Sequence, residues 1–342
     1  MHRQIHVSIS VVVLFFVSAS IARALPGPAL ARVRAAQQLS CGVDIEEPEY
    51  TLDDAHGNHS KFDSELCQAV AVAVLGPNAK YLVHNYRDEA DALKALSKGD
   101  IDLLATGSPY IDNDNGAYVF GRTIFYDAQG ILLNRSLGVD SAKGLEGKKI
   151  CFLVNTEIER QLTSYMNRRG IRFIPGPFSE EGEMEVALVS TTCSAVSADV
   201  SQLAYERTNF KNIAKDFVIL PDVVANDPLA PVTLPGDPQW SAIVNWAMQA
   251  LVLAEEQGVT RENVDEKKTA SDLMLQRLLG VNRGWGQFLS LDDDWAAREI
   301  RAVGNYGQVF DRTLGQGSPM RLDRGQNRLW SDGGQLLAEP LR

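Results

Sequence analysis

The chain has 342 residues, of which 45% are hydrophobic and 23% charged, and its formal net charge is −11. That acidity argues against nucleic acid and anionic membrane surfaces as partners. Beyond the N-terminus no apolar stretch reaches transmembrane length; 240–254 comes nearest, but Asn245 and Gln249 make it a core helix.

Arg3 is the only charge before an apolar run over 7–22, and Ala22-Arg23-Ala24 then supplies a small-x-small cleavage pattern. Residues 1–24 therefore read as a secretory signal peptide and the mature chain as a periplasmic protein. A short membrane anchor is the rival reading, but the run is too short to span comfortably. Cleavage takes away two arginines and no acid, so −11 becomes −13.

Four cysteines remain, Cys41, Cys67, Cys151 and Cys193. In an oxidising compartment an even count reads as disulfides. Pairing 41 with 67 and 151 with 193 keeps each bond inside one lobe and leaves a hinge free to move, so it is favoured over the two cross-lobe schemes. No CxxC occurs, and the mature chain has only His56, His59 and His84, so no metal site is expected. His56 and His59 have chelating spacing, but in a Gly/Asn-rich turn they read as a solvated tip.

The first lobe opens with a strand over 39–43. Asp63 or Ser64 caps a helix over 65–75, which Gly76-Pro77 stops. A strand over 80–84, a helix over 88–97 ended by Gly99, and a buried strand over 101–106 follow. This βαβαβ order predicts a mainly parallel sheet with ligand loops at the C-terminal strand ends. Those loops, 44–50 and 107–115, carry Tyr50 and Tyr110, which suit a small-molecule cleft or simple packing.

The segment Phe125-Tyr126-Asp127-Ala128-Gln129-Gly130-Ile131-Leu132-Leu133 is extended, aromatic and β-branched, with a glycine at a bend. Phe217 to Pro221 is a similar run. Together they bracket a second set of strands and helices. That pattern predicts two lobes joined by a double crossover: residues 25–129 and 223–342 in one, 130–222 in the other. In the second lobe a strand over 148–154 leads to Thr156-Glu157-Ile158-Glu159, a capping box. The free N–H groups of that helix start suit a carboxylate, or serve stability only. A strand over 194–200 delivers Asp199 to the same edge, where it receives an ammonium or caps the next turn.

The last third reads as helices over 237–258, 270–279, 292–303 and 308–313. All five tryptophans lie there, as core or as a partly exposed docking face. Enzyme signatures are missing: there is no Gly-x-Ser-x-Gly elbow, Walker A motif or dinucleotide fingerprint. With oxidised cysteines and three histidines, thiol or acid–base catalysis has few candidates.

Several pieces stand in order along the chain: Phe62-Asp63 with Leu66-Cys67 and Ala69-Val70-Ala71; Tyr126-Asp127-x-Gln129-Gly130; Asp294-Trp295-Ala296; Val303-Gly304-Asn305-Tyr306-Gly307; Arg324-Gly325-x-Asn327-x-Leu329-Trp330; and the ending Gly333-Gly334 to Pro340-Leu341-Arg342. Together they resemble the periplasmic general L-amino-acid-binding proteins that feed ABC importers (solute-binding protein family 3). The resemblance covers essentially the whole mature chain. It implies an α/β fold of two Rossmann-like lobes on a two-strand hinge (a type II periplasmic binding protein), with a C-terminal helical extension. It further implies no chemistry, no cofactor, and a permease as membrane partner; the chain is expected to be a monomer.

The pocket departs from the family pattern. The family's Arg-Asn-Thr-Thr-Trp-Thr run is Thr106-Gly107-Ser108-Pro109-Tyr110-Ile111 here, and its carboxylate-clamping Arg falls on Asp114. Its Gly-Leu-Pro-Gly-Phe loop is Glu46-Glu47-Pro48-Glu49-Tyr50. Thr156 and Asp199 match the family's ligand-contacting Thr and Asp. Tyr50, Ser108, Tyr110, Asp114, Thr156 and Asp199 are thus the candidate ligand residues. A buried carboxylate without a cation costs several kcal/mol, so the resemblance with Asp114 in place implies a cationic amine or basic amino acid. Three other readings stand beside it: loss of amino-acid binding, ordinary amino-acid binding with Arg122 as a replacement clamp, and a sensor or accessory protein acting on a membrane partner.

Overall fold

The computed structural model describes residues 28–44, 62–86, 89–110 and 115–341. The expected signal peptide, Glu46, Glu47, Glu49, Tyr50, His56, His59 and Asp114 lie outside the described residues. Among those described, no helix is long and apolar enough to cross a membrane.

Helix α1 (Pro28–Ala36), not expected from the sequence, sets Leu30 and Val33 into the core. Strands β1 (Gln38–Asp44), β2 (Lys80–Tyr86) and β3 (Leu103–Gly107) then alternate with α2 (Phe62–Leu75) and α3 (Glu89–Lys98). β1 runs parallel to both of its neighbours, so the expected βαβαβ order does make a parallel sheet. Asp63 does not cap α2. It lies inside the first turn, where its carboxylate accepts the Thr106 hydroxyl at 2.7 Å.

After the short β4 (Val119–Phe120), the ten-residue β5 (Phe125–Asn134) leaves this set. The second lobe follows as β6 (Lys149–Leu153), α4 (Glu157–Arg168), β7 (Ile174–Phe178), α5 (Glu181–Val189), β8 (Ala195–Asp199), α6 (Val200–Asn209) and β9 (Phe217–Ile219). The return strand is β10 (Ala225–Thr233). This corrects the sequence expectation, because Phe217 to Pro221 does not cross back. β9 pairs with the far end of β5, at Leu132 to Asn134, inside the second lobe. β10 instead pairs with β5 through 225–229 and with β3 and β4 through 230–233. The strand order β2-β1-β3-β10-β5-β8-β6-β7 therefore passes from one lobe to the other through two antiparallel strands.

Both disulfides lie within lobes, as expected. Cys41–Cys67 ties β1 to α2, and Cys151–Cys193 ties β6 to the turn before β8. Gly176 on β7 stands opposite Cys151, and a Cβ there would come within 2.3 Å of the Cys151 sulfur. Only glycine leaves room for that bond.

The C-terminal third gives α7 (Pro238–Glu256), α8 (Val264–Lys267), α9 (Leu273–Leu278), α10 (Trp295–Val303) and α11 (Tyr306–Thr313). Asp237 caps α7 by accepting the Trp240 N–H at 3.1 Å, and Asn305 with Gln308 forms a full capping box on α11. α7, α10 and α11 pack on α2 and share its core cluster, which makes the extension part of the first lobe's interior. Trp240 and Trp295 are buried there, each such side chain contributing about 1.5–3 kcal/mol or more of burial. Trp330 is 60% exposed, so the tryptophans are only partly core.

Candidate ligand-binding site

The site is built where the lobes meet. β3 ends at Gly107, and its continuation carries Ser108 and Tyr110. Ser108 is buried; its N–H donates to Glu89 at 3.0 Å and its hydroxyl to Asp227 at 3.5 Å. Gly107 permits this close approach, since a Cβ would meet Val232 at 2.7 Å and Glu89 at 3.1 Å. Tyr110 is 45% exposed, and its hydroxyl donates to the same Asp227 carboxylate. Burial, with the charges of Asp227 and Asp199, drives the Tyr110 phenol well above its ordinary value.

Asp227 sits on β10 directly opposite Asp127 on β5. Burial raises the Asp227 carboxyl, against the hydrogen bonds from Tyr110 and Ser108. Its Oδ1 is buried with no hydrogen-bond partner among the described residues. Asp127 is fixed by the Ala128 N–H at 2.9 Å, the Ser201 N–H at 3.2 Å and the Ser201 hydroxyl. Burial nevertheless pushes it up to about 6, with the charge of Asp227 adding to the effect. Opposed side chains on neighbouring strands lie about 5 Å apart, so two full charges here would repel by about 3 kcal/mol at an effective dielectric near 20. A positive group between them relieves both the repulsion and the burial penalty.

The second lobe supplies two helix starts. Asp199 ends β8 at the N-cap of α6, but its side chain makes no cap bond there. Its charge reaches Tyr110 across the lobes. Thr156 caps α4: its hydroxyl accepts the Glu159 N–H at 3.4 Å and donates to the Leu153 carbonyl at 2.8 Å. The partner bond of the expected capping box lands one residue early, on the Asn155 N–H at 2.9 Å. Gln129, two residues after Asp127 on the same strand face, donates to Ile158 O and to Ser197 Oγ, both at 2.9 Å. That places the start of α4 beside β5.

The structure thus brings together Ser108, Tyr110 and Asp199 from the sequence-based set, with Thr156 at the adjoining helix start. Tyr50 and Asp114 fall outside the described residues. Arg122 does not offer a spare cation, because its guanidinium pairs with Glu339. Asp127 and Asp227, which the structure places beside Ser108 and Tyr110, are absent from the sequence-based set. Asp127 was visible inside the hinge motif, but nothing local to Asp227 marks it. Among the described residues no group of three or more His, Cys, Asp or Glu is placed to hold a metal.

No family profile matches the chain. It is 36% identical over 327 residues to the general L-amino acid-binding periplasmic protein of Rhizobium johnstonii, covering 94% of this chain and 95% of that one. It is 36% identical over 335 residues to the glutamate/glutamine/aspartate/asparagine-binding protein of Rhodobacter capsulatus, covering 96% and 98%. Among solved structures it superposes on a periplasmic binding protein of an ABC transporter from Brucella ovis, solved with glutathione bound. There the TM-score is 0.78 and the identity 33%, over 92% of this chain and 99% of that one.

Proposed function

Because the chain belongs to the periplasmic amino-acid-binding proteins of ABC importers, we propose that its cleft captures a small solute through a positively charged end. The observation that carries the proposal is the facing pair Asp127 and Asp227, with Asp199 across the cleft. Asp127 and Asp227 are held by neutral hydroxyl and amide donors, and neither forms an ion pair with a described Arg or Lys. A buried carboxylate pair held this way keeps unspent attraction for an ammonium or guanidinium, and disfavours an anion.

In this reading Asp127, Asp227 and Asp199 receive the cation. Tyr110 closes over it, and Ser108 and Thr156 bind its polar remainder. Asp114, which falls in sequence at the place of the family's clamping Arg, further weakens selection for a carboxylate. Residues 25–129 with 223–342 form one lobe and 130–222 the other, closing about β5 and β10. The signal peptide exports the chain, and a membrane permease takes the solute from it. No catalytic step is assigned, in keeping with the named relatives, which are binding proteins.

Thermal shift on wild type and Asp114→Arg tests the pocket. We expect L-arginine, L-lysine or putrescine to stabilise the wild type, and L-glutamate to stabilise only the variant. Wild-type stabilisation by L-glutamate alone would refute the proposal. Glutathione belongs in the same panel, because the Brucella ovis neighbour holds it. Stabilisation by glutathione without any by the amines would favour a peptide ligand.

A further inference from the structure

The crossing strands are held from outside the sheet. Tyr126 pairs with Pro228 across β5 and β10 without exchanging main-chain hydrogen bonds with it. Both main-chain groups of Tyr126 face away from β10, toward one side chain. The Tyr126 N–H donates to Asn327 Oδ1 at 2.7 Å, and Asn327 Nδ2 donates to the Tyr126 carbonyl at 2.9 Å. This two-bond pattern is what a neighbouring strand provides, here supplied by a buried amide. The adjacent Gln326 donates to Asn226 Oδ1 on β10 at 2.5 Å. Two consecutive residues therefore hold both crossing strands, each one residue before a site carboxylate.

The holder is itself anchored to the first lobe. Arg324 pairs with Glu255 of α7 at 2.5 Å and donates to the Asn327 carbonyl at 2.6 and 3.1 Å. Its guanidinium lies 5.3 Å from the Tyr306 ring centre and 5.4 Å from that of Phe310. On the far side, Arg207 of α6 donates to the Met320 carbonyl at 2.6 Å, so the same segment also touches the second lobe.

We propose that Asn327 and Gln326 are positioning residues for the binding site. They fix β5 at Tyr126 and β10 at Asn226, so that Asp127 and Asp227 keep their facing geometry while the lobes move. The ligand consequence rests on the reading of Asp127 and Asp227 given above; the placement of the strands does not.

Hydrogen exchange on the full chain, followed by mass spectrometry, tests this. Asn327→Leu removes both bonds to Tyr126, and exchange in peptides spanning 125–129 is expected to rise about tenfold. Peptides over 38–44 and 149–153 should be unchanged. Asn327→Asp keeps the acceptor and should fall in between, and it carries the comparison if the leucine variant does not fold. Unchanged exchange at 125–129 would overturn the proposal. So would an equal rise everywhere, which would mark Asn327 as a general stability residue. Titration with L-arginine separates the two claims: local loosening in a protein that binds no amine would count against the amine reading and leave the positioning role standing.

Discussion

Asp127 and Asp227 stand directly opposite one another in the antiparallel ladder that joins the lobes. Like charges in that position destabilise a sheet, and burial compounds the cost. Like charges facing each other in a ladder are disfavoured, so a hinge that keeps such a pair holds an arrangement whose penalty falls when a cation enters.

The first prediction concerns pH. Asp127 is raised to about 6 from an ordinary 3.8, mainly by burial. A raised carboxyl contributes stability that is full below its unfolded value and is lost as pH rises through its folded one. Wild type should therefore lose up to roughly 3 kcal/mol relative to Asp127→Asn between about pH 4 and pH 7. Asp63 is also raised to about 6, but it is common to both proteins and cancels. Paired urea melts across that range check the difference, and parallel curves would contradict it. Under the proposed function, in which ionised Asp127 receives the cation, amine binding should strengthen over the same interval.

Glu299 on α10 is fully buried, and neither carboxyl oxygen has a hydrogen-bond partner among the described residues. Burial lifts it well above its ordinary value, with Arg298 opposing. α10 packs against α2 and α7. Glu299→Met is expected to stabilise the protein by roughly 1–3 kcal/mol at neutral pH, since it removes an unpaired buried polar group. A lower melting temperature for the variant would show that the carboxyl has a partner.

Gly176 shares space with the Cys151–Cys193 disulfide, which closes a separation of 42 residues. By chain entropy such a bond is worth about 4 kcal/mol. Gly176→Ala should strain or open it. Thiol titration of the native variant should then find free thiols that wild type lacks, together with a lower melting temperature. A variant as stable and thiol-free as wild type would contradict the packing.

How far the sequence could be read follows from what each segment needed. β5 was legible because Phe125 to Leu133 carries its own aromatic and β-branched signal. The disulfide pairing followed from lobe membership. β10 was illegible because Pro228 and Pro231 argue against a strand inside a sheet. Both are tolerated for long-range reasons: Pro228 stands opposite Tyr126, whose N–H and carbonyl go to Asn327, and Pro231 falls in the register shift between Ala230 and Val232, so the ladder asks no N–H of either. β7 hides behind Pro175 and Pro177 in the same way, at an edge paired only with β6. With β10 unseen, Asp227 had no address, and Asp127 remained a motif letter. The positions of Thr156 and Asp199 were legible because each sits at a local strand-to-helix junction.

The central claim is that the cleft receives a cation. Isothermal titration calorimetry at about pH 7 on ligand-stripped protein tests it most directly, since a carboxylate raised to about 6 is then largely ionised. L-arginine, L-lysine, putrescine and L-glutamate form the panel, with Asp227→Asn as the control. At least one of the three cationic compounds should bind, and Asp227→Asn should weaken it tenfold or more, about 1.4 kcal/mol. Tight binding of L-glutamate, unaffected by Asp227→Asn and with no heat from the cationic compounds, would contradict the account.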